Sequence, residues 1–198
     1  MLFIEKCEEL IKSYQTDCII RNNGAMLLHT EGRLKARYVF YKGLKEEYIN
    51  CYLIAAYKRN LPKEYIELLK RFNGADLFSI KVLAGKGITF EYGRLHLFGL
   101  PLSAPGNRKA DEEEPFDIRT QDQIERHKKI PNSWLKIGCY NKELGKDIIH
   151  DIFLDTEDGR TYTCEKNKYQ IDNIWNGLDV CLCDLYDHLS TTEWELKL

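Results

Sequence analysis

From Leu61 to Gly74 the chain reads Leu-Pro-Lys-Glu-Tyr-Ile-Glu-Leu-Leu-Lys-Arg-Phe-Asn-Gly, and beyond it the apolar period changes from helical to alternating. Tyr65, Leu68, Leu69 and Phe72 fall at the i, i+3, i+4, i+7 spacing of one buried helical stripe, with Lys63, Glu64, Glu67, Lys70 and Arg71 on the wet side. Pro62 suits the first helical position, because its missing N–H would find no acceptor there and its ring presets φ. Asn73 and Gly74 tolerate left-handed backbone and are expected to close the helix. Past them, Leu77–Val82, Ile88–Tyr92 and Leu95–Phe98 read as short strands with glycines at 85, 87 and 93 between them. A helix that hands over to hairpin-length strands points to segregated α and β rather than to βαβ units.

The flanking segments fill in that scheme. Phe3, Cys7, Leu10, Ile11 and Tyr14 form an apolar stripe, so residues 2–15 are expected to be an amphipathic helix. Residues 16–43 carry turn signals at Asn22-Asn23-Gly24 and Glu31-Gly32, and Arg37–Tyr41 reads as a short strand. Leu44, Tyr48, Cys51, Tyr52, Ala55 and Ala56 make a further helical stripe to about Asn60. Residues 101–118 have loop composition, and Thr120-Gln121-Asp122-Gln123 matches a capping box that opens a short helix to Lys128. Trp134–Ile137, Ile148–Leu154 and Arg160–Cys164 are strand-like, with Asp158-Gly159 as a hairpin turn. A last helix starts at Asp179 as N-cap and runs to His188. The expected fold is therefore α+β, a mainly antiparallel central sheet flanked by helices. Residues 1–43 are expected to be an N-terminal helical extension, packed on or appended to a domain spanning 44–198.

Composition narrows the functional classes. At 198 residues with 43% hydrophobic and 12% aromatic content, one core is expected. No apolar run approaches the roughly 20 residues that span a bilayer. The acidic start Met1–Glu9 is unlike a secretory signal, so a cytoplasmic location is expected, with no membrane partner. Seven cysteines, an odd number, read as free thiols in a reducing compartment. Cys181 and Cys183 would lie about 200° apart on a helix and lack metal-site spacing, so no metal is expected. Charge is unevenly spread. Residues 1–72 carry 13 basic and 9 acidic side chains, whereas residues 139–198 carry 6 and 13, a net of −7. That acidity disfavours direct nucleic-acid binding, which needs dense Lys and Arg, and suits a basic protein partner.

Catalytic templates find little support. Gly85-Lys86-Gly87 lacks the glycine five residues earlier that a phosphate loop requires; Ile80 stands there. Asp155-Thr156-Glu157-Asp158-Gly159 fails the calcium-loop pattern, since its sixth position is Arg160. The five histidines show no metal spacing. His150 and Asp151 would point to opposite faces of a strand, and a Cys139–His150 pairing stays open because spatial adjacency is invisible in sequence. No enzyme and no cofactor are expected. Candidate partner-contact residues are the acidic Asp111, Glu112, Glu113, Glu114 and Asp117, the acidic turn Asp155, Glu157 and Asp158, and Trp194 near the terminus. Trp134 and Trp175 read as core.

The order of these signals resembles the SUKH superfamily, which includes fungal cell-wall-synthesis regulators and bacterial immunity proteins of polymorphic toxin systems. The match runs over about residues 44–189: Leu61-Pro62-Lys63-Glu64-Tyr65 through Asn73-Gly74, Leu95–Gly99, Ile130-Pro131, Ile137-Gly138, Ile152–Asp155 with Gly159, and Trp175 ahead of a terminal helix. Val180-Cys181 and Cys139–Lys142 depart from the family pattern, and residues 1–43 have no counterpart in it. The resemblance implies a non-enzymatic domain that binds another protein, typically a toxin and often a nuclease, neutralised in the cytoplasm. An intracellular scaffold or regulator of the same fold, binding endogenous proteins or peptides, is the alternative it implies.

Overall fold

A computed structural model describes residues 1–14, 18–29, 34–54, 61–84, 88–92, 94–101, 114–126, 130–141 and 149–191. The elements are α1 (Leu2–Ser13), β1 (Cys18–Ile20), β2 (Met26–His29), β3 (Leu34–Lys42), α2 (Glu46–Ile49) continued by a π-helical turn (Asn50–Ile54), α3 (Lys63–Arg71), β4 (Phe72–Ala84), β5 (Ile88–Tyr92), β6 (Leu95–Leu97), α4 (Ile118–Arg126), β7 (Trp134–Asn141), β8 (Ile149–Asp155), β9 (Thr161–Glu165), β10 (Ile171–Trp175) and α5 (Leu178–Thr191). The ten strands form one sheet in the order β1-β2-β3-β4-β6-β7-β8-β9-β10, with β5 on the far part of β4. All its strand pairs are antiparallel. The mixed α+β architecture expected from the sequence is present.

Among their described residues, the first 43 are helical only over α1. That segment also contributes β1, β2 and β3 to the sheet, and Phe3, Cys7, Leu28 and Phe40 join the same core as Tyr65, Leu69, Leu135 and Leu182. α1 packs along α5, and α3 packs on β4 and α5. The helix ends are interlocked. Glu64 on α3 accepts the N–H of Leu178 at 3.0 Å, and Asp179 on α5 accepts the N–H groups of Leu2 and Phe3, each at 2.9 Å. Helix N-termini expose N–H groups that intrahelical bonding leaves unmet, so each carboxylate here caps a helix other than its own. Asp179 is therefore not the N-cap of α5; it lies in the first turn and caps α1.

Asn73 and Gly74 do not close α3. The chain passes at Phe72 directly into extended backbone, and Phe40 pairs with Ala75 while Lys42 pairs with Phe72, so Asn73 and Gly74 together face Tyr41. This is a β-bulge with Gly74 at φ 88°. A Cβ on Gly74 would lie 2.5 Å from the Leu97 carbonyl oxygen, so the position is closed to other residues on space as well as on dihedral angle. The bulge turns the Asn73 side chain inward, where Nδ2 donates to the Leu100 carbonyl at 2.6 Å and Oδ1 accepts the Leu100 N–H at 2.7 Å. A second bulge places Leu77 and Phe78 opposite Tyr38, with Phe78 at φ 59° and packed edge-on to Tyr38 and Tyr186.

The helix expected to begin at Thr120 begins earlier. Asp117 accepts the N–H of Arg119 at 3.0 Å, and its carbonyl accepts from Gln121, so Asp117 is the cap. Among the described residues, no helix is long and apolar enough to cross a membrane.

Candidate partner-binding surface

Of the acidic residues singled out from the sequence, the described ones fall in two segments, Glu114 with Asp117 ahead of α4 and Asp155 to Asp158 in the β8–β9 turn. Asp111, Glu112, Glu113 and Trp194 lie outside the described residues. Glu114 is half-buried and lines a shallow cleft with Tyr41, Lys42 and Asn73. Asp117 caps α4 and holds Arg119 through Oδ1 and Oδ2, both at 3.0 Å. Asp155 is buried and builds the β8–β9 turn: its Oδ1 accepts the Glu157 N–H at 2.9 Å and its backbone N–H donates to Arg160. Asp158 accepts Arg160 Nε at 2.6 Å, and that guanidinium holds its carboxyl below the usual carboxylate range. Glu157 remains an exposed carboxylate at the tip of the turn.

Among the described residues, much of the wider acidity of the last third is also engaged within the fold. Lys6 meets Asp187 at 2.7 Å, Lys168 meets Glu165 at 2.7 Å, and Lys136 meets Asp151 at 2.8 Å. Those pairs cancel charge. Asp155, Asp172, Asp179 and Asp184 instead take backbone, imidazole or indole donors, namely Glu157, His150 Nδ1 at 2.7 Å, Leu2 with Phe3, and Trp175 Nε1 at 3.2 Å. No Lys or Arg is set against these four in those bonds, and two of them, Asp172 on β10 and Asp184 against Trp175, adjoin the end where β10 meets α5.

That end of the sheet also carries exposed apolar side chains. β10 is an edge strand that pairs, among the described residues, with β9 alone. Ile171 and Ile174 are 42% and 53% exposed. A bulge at Asp172 puts both isoleucines on one face, opposite Cys164 and Tyr162 respectively. The same face carries a cluster of Trp134, Phe153, Tyr162 and Cys164, with Trp134 stacked on Tyr162 at 4.5 Å. The bulge sends the Asp172 carboxylate to His150 on β8, and His150 in turn stacks on Tyr140 at 5.1 Å. Five residues with no alternation left no strand signal in the sequence, and only Trp175, half-buried against the main core, was singled out there.

Away from this edge, the middle of the sheet holds a polar row. Register sets Asp76 beside His96, His96 beside Cys139, and Cys139 beside Asp151 on successive strands. Tyr41 Oη donates to Asp76 Oδ2 at 2.6 Å, and His96 Nδ1 meets Asp76 Oδ1 at 2.7 Å, with Phe116 edge-on over the imidazole at 5.7 Å. An imidazole oriented through Nδ1 by a carboxylate is one component of acid–base chemistry. The neighbouring thiol supplies no activated nucleophile, because burial and then the nearby Asp151 charge push Cys139 up to about 12. Cys139 and His150 point to opposite faces, since Cys139 pairs with Asp151 and His150 with Tyr140, so that dyad does not form. His150 and Asp151 likewise diverge, to Asp172 and Lys136. Among the described residues no group of three or more His, Cys, Asp or Glu side chains could hold a metal ion.

No family model matches the chain, and no curated protein matches it.

Proposed function

We propose that this chain is a non-enzymatic binding protein of SUKH-like architecture, an immunity protein that neutralises a cognate toxin by direct contact through the acidic, apolar end of its sheet. The observation that carries the reading is the exposure of Ile171 and Ile174 on one face of edge strand β10, beside Asp172 and Asp184, whose bonds to His150 and Trp175 involve no Lys or Arg. An edge with exposed apolar side chains on one face and carboxylates towards the other suits a basic partner: burial gives affinity and the charge steers encounter. A nuclease toxin presents a basic face, because it must hold phosphates. The resemblance in Leu61–Gly74, Leu95–Gly99 and Ile152–Asp155 supports the same class, and those residues build the fold rather than the surface.

The reading relocates the contact. Asp155, Asp158 and Asp117 have internal partners, so the contact surface is centred on β10 instead. Co-purification of the tagged chain with the protein encoded by the adjacent reading frame tests the proposal. A stable one-to-one complex, lost in I171K/I174K, is the expected result. Absence of any complex, or one indifferent to those substitutions, contradicts it, and capture of an endogenous protein instead would favour the scaffold alternative.

A further inference from the structure

We infer that β10 takes its partner by strand addition: an extended, Lys- or Arg-bearing segment docks along Ile171–Trp175 as an eleventh strand. The inference rests on the binding reading above and names the segment and its mode. An edge strand leaves every second pair of backbone N–H and C=O groups without a partner, and extended peptides use such edges as templates. β10 meets the requirements from its own residues. Ile171 to Ile174 are all exposed, so both faces beside the strand are open to an added neighbour's side chains. Ile171 and Ile174, brought to one face by the bulge, offer apolar contact to alternate residues of that neighbour.

Charge selects the occupant. Asp172 on the strand and Asp184 beside it are held by imidazole and indole donors, with no Lys or Arg in those bonds, so basic side chains on the docking segment find acceptors there. The Asp172–His150 bond ties the bulge back to β8 across β9, which fixes the edge before anything docks and lowers the ordering cost of binding. The opposite edge of the sheet supplies the rival occupant. β1 has Ile19 and Ile20 exposed at 46% and 71%, in the third of the chain with excess basic charge, so a second copy could set β1 against β10. β1 has only three residues against five in β10, too few to cover both isoleucines across the bulge. The longer segment of a different protein is the better fit.

The test uses the full chain and a short acetylated peptide of alternating lysine and valine. Its two controls are an alternating glutamate–valine peptide and a lysine–valine peptide of equal charge with its central valine replaced by proline. Binding is followed by amide hydrogen exchange and by light scattering. The lysine–valine peptide is expected to protect amides within 171–175, to bind at least about tenfold more tightly than either control, and to lose that margin in I174K at an unchanged urea midpoint. Equal binding of the proline peptide means charge attraction alone and overturns the proposal, as does protection centred elsewhere. Concentration-dependent dimers abolished by I174K would replace the partner segment with a second copy and overturn it too. If the adjacent-frame protein binds while β10 amides stay unprotected, strand addition fails and the binding reading stands. If neither that protein nor the peptide binds, both fail.

Discussion

Asn73 grips Leu100 through both ends of its amide, donating to the carbonyl at 2.6 Å and accepting the N–H at 2.7 Å, with both residues buried. The side chain does the work of a neighbouring strand for a residue just past β6. Gly99 permits the approach, since a Cβ there would lie 2.1 Å from the Asn73 carbonyl oxygen. N73A leaves a buried N–H and a buried carbonyl unmet, and is expected to lower stability by about 2–4 kcal/mol in urea unfolding. N73D keeps the acceptor but sets a carboxylate against the Leu100 carbonyl, so it should be at least as damaging. A wild-type midpoint for N73A would show that water replaces both bonds.

The relay of caps from Glu64 to α5 and from Asp179 to α1 gives a second expectation. E64A and D179A should each cost about 1 kcal/mol, the usual scale for losing an N-cap. Their local signatures differ: amide exchange should accelerate at Leu178 in E64A and at Leu2 and Phe3 in D179A. Acceleration at the same amides in both variants would mean that the helix ends unfold as one unit.

Lys136 and Asp151 form an ion pair with side chains 4% and 2% exposed. Removing one partner strands the other charge in the interior, so D151A should destabilise by about 3–5 kcal/mol, whereas K136M/D151L, which removes both charges, should be near neutral or stabilising. Urea unfolding of the two variants decides this. A double variant as weak as the single would assign the pair a structural role beyond its charges.

Alkaline pH should weaken the fold. Burial is the leading cause that raises Cys164 to about 11 and Cys139 to about 12, from an ordinary 9.0, and the Tyr140 hydroxyl to about 12. Above pH 9 the unfolded chain loses thiol protons that the folded chain keeps. Stability is therefore full below the unfolded value and falls as pH rises towards the folded ones. The unfolding free energy from urea titration should be flat below pH of about 8 and then fall by up to about 1.4 kcal/mol per pH unit for each thiol. C164A should flatten part of that decline, and an unchanged slope would remove Cys164 from the account.

The sequence carried the helical stripe of α3 and the periods of β4 to β9 because those signals are local. Asn73-Gly74 misled because a helix C-cap and a β-bulge ask for the same left-handed backbone, and only pairing with β3 distinguishes them. Thr120 and Asp117 are both capable caps three residues apart, and the tertiary bridge between Gly99 and Asp117 selects the second. β1, β2 and β10 are three to five residues long and gain their strand character from neighbours distant in sequence. The acidic third was legible as composition. Its use was not, since Asp179 finds Phe3 across 176 residues and Asp187 finds Lys6 across 181. Asp172 and Asp184, by contrast, lie on and beside an edge strand that carries no alternation in the sequence.

Calorimetric titration of the full chain with the protein encoded by the adjacent reading frame, run in parallel on I171K/I174K, tests whether β10 is the contact surface. The account predicts saturable one-to-one binding that weakens with added salt and is reduced at least about tenfold in the variant, at unchanged fold stability. Equal affinity for both proteins, or no heat of binding with the wild-type chain, would contradict it.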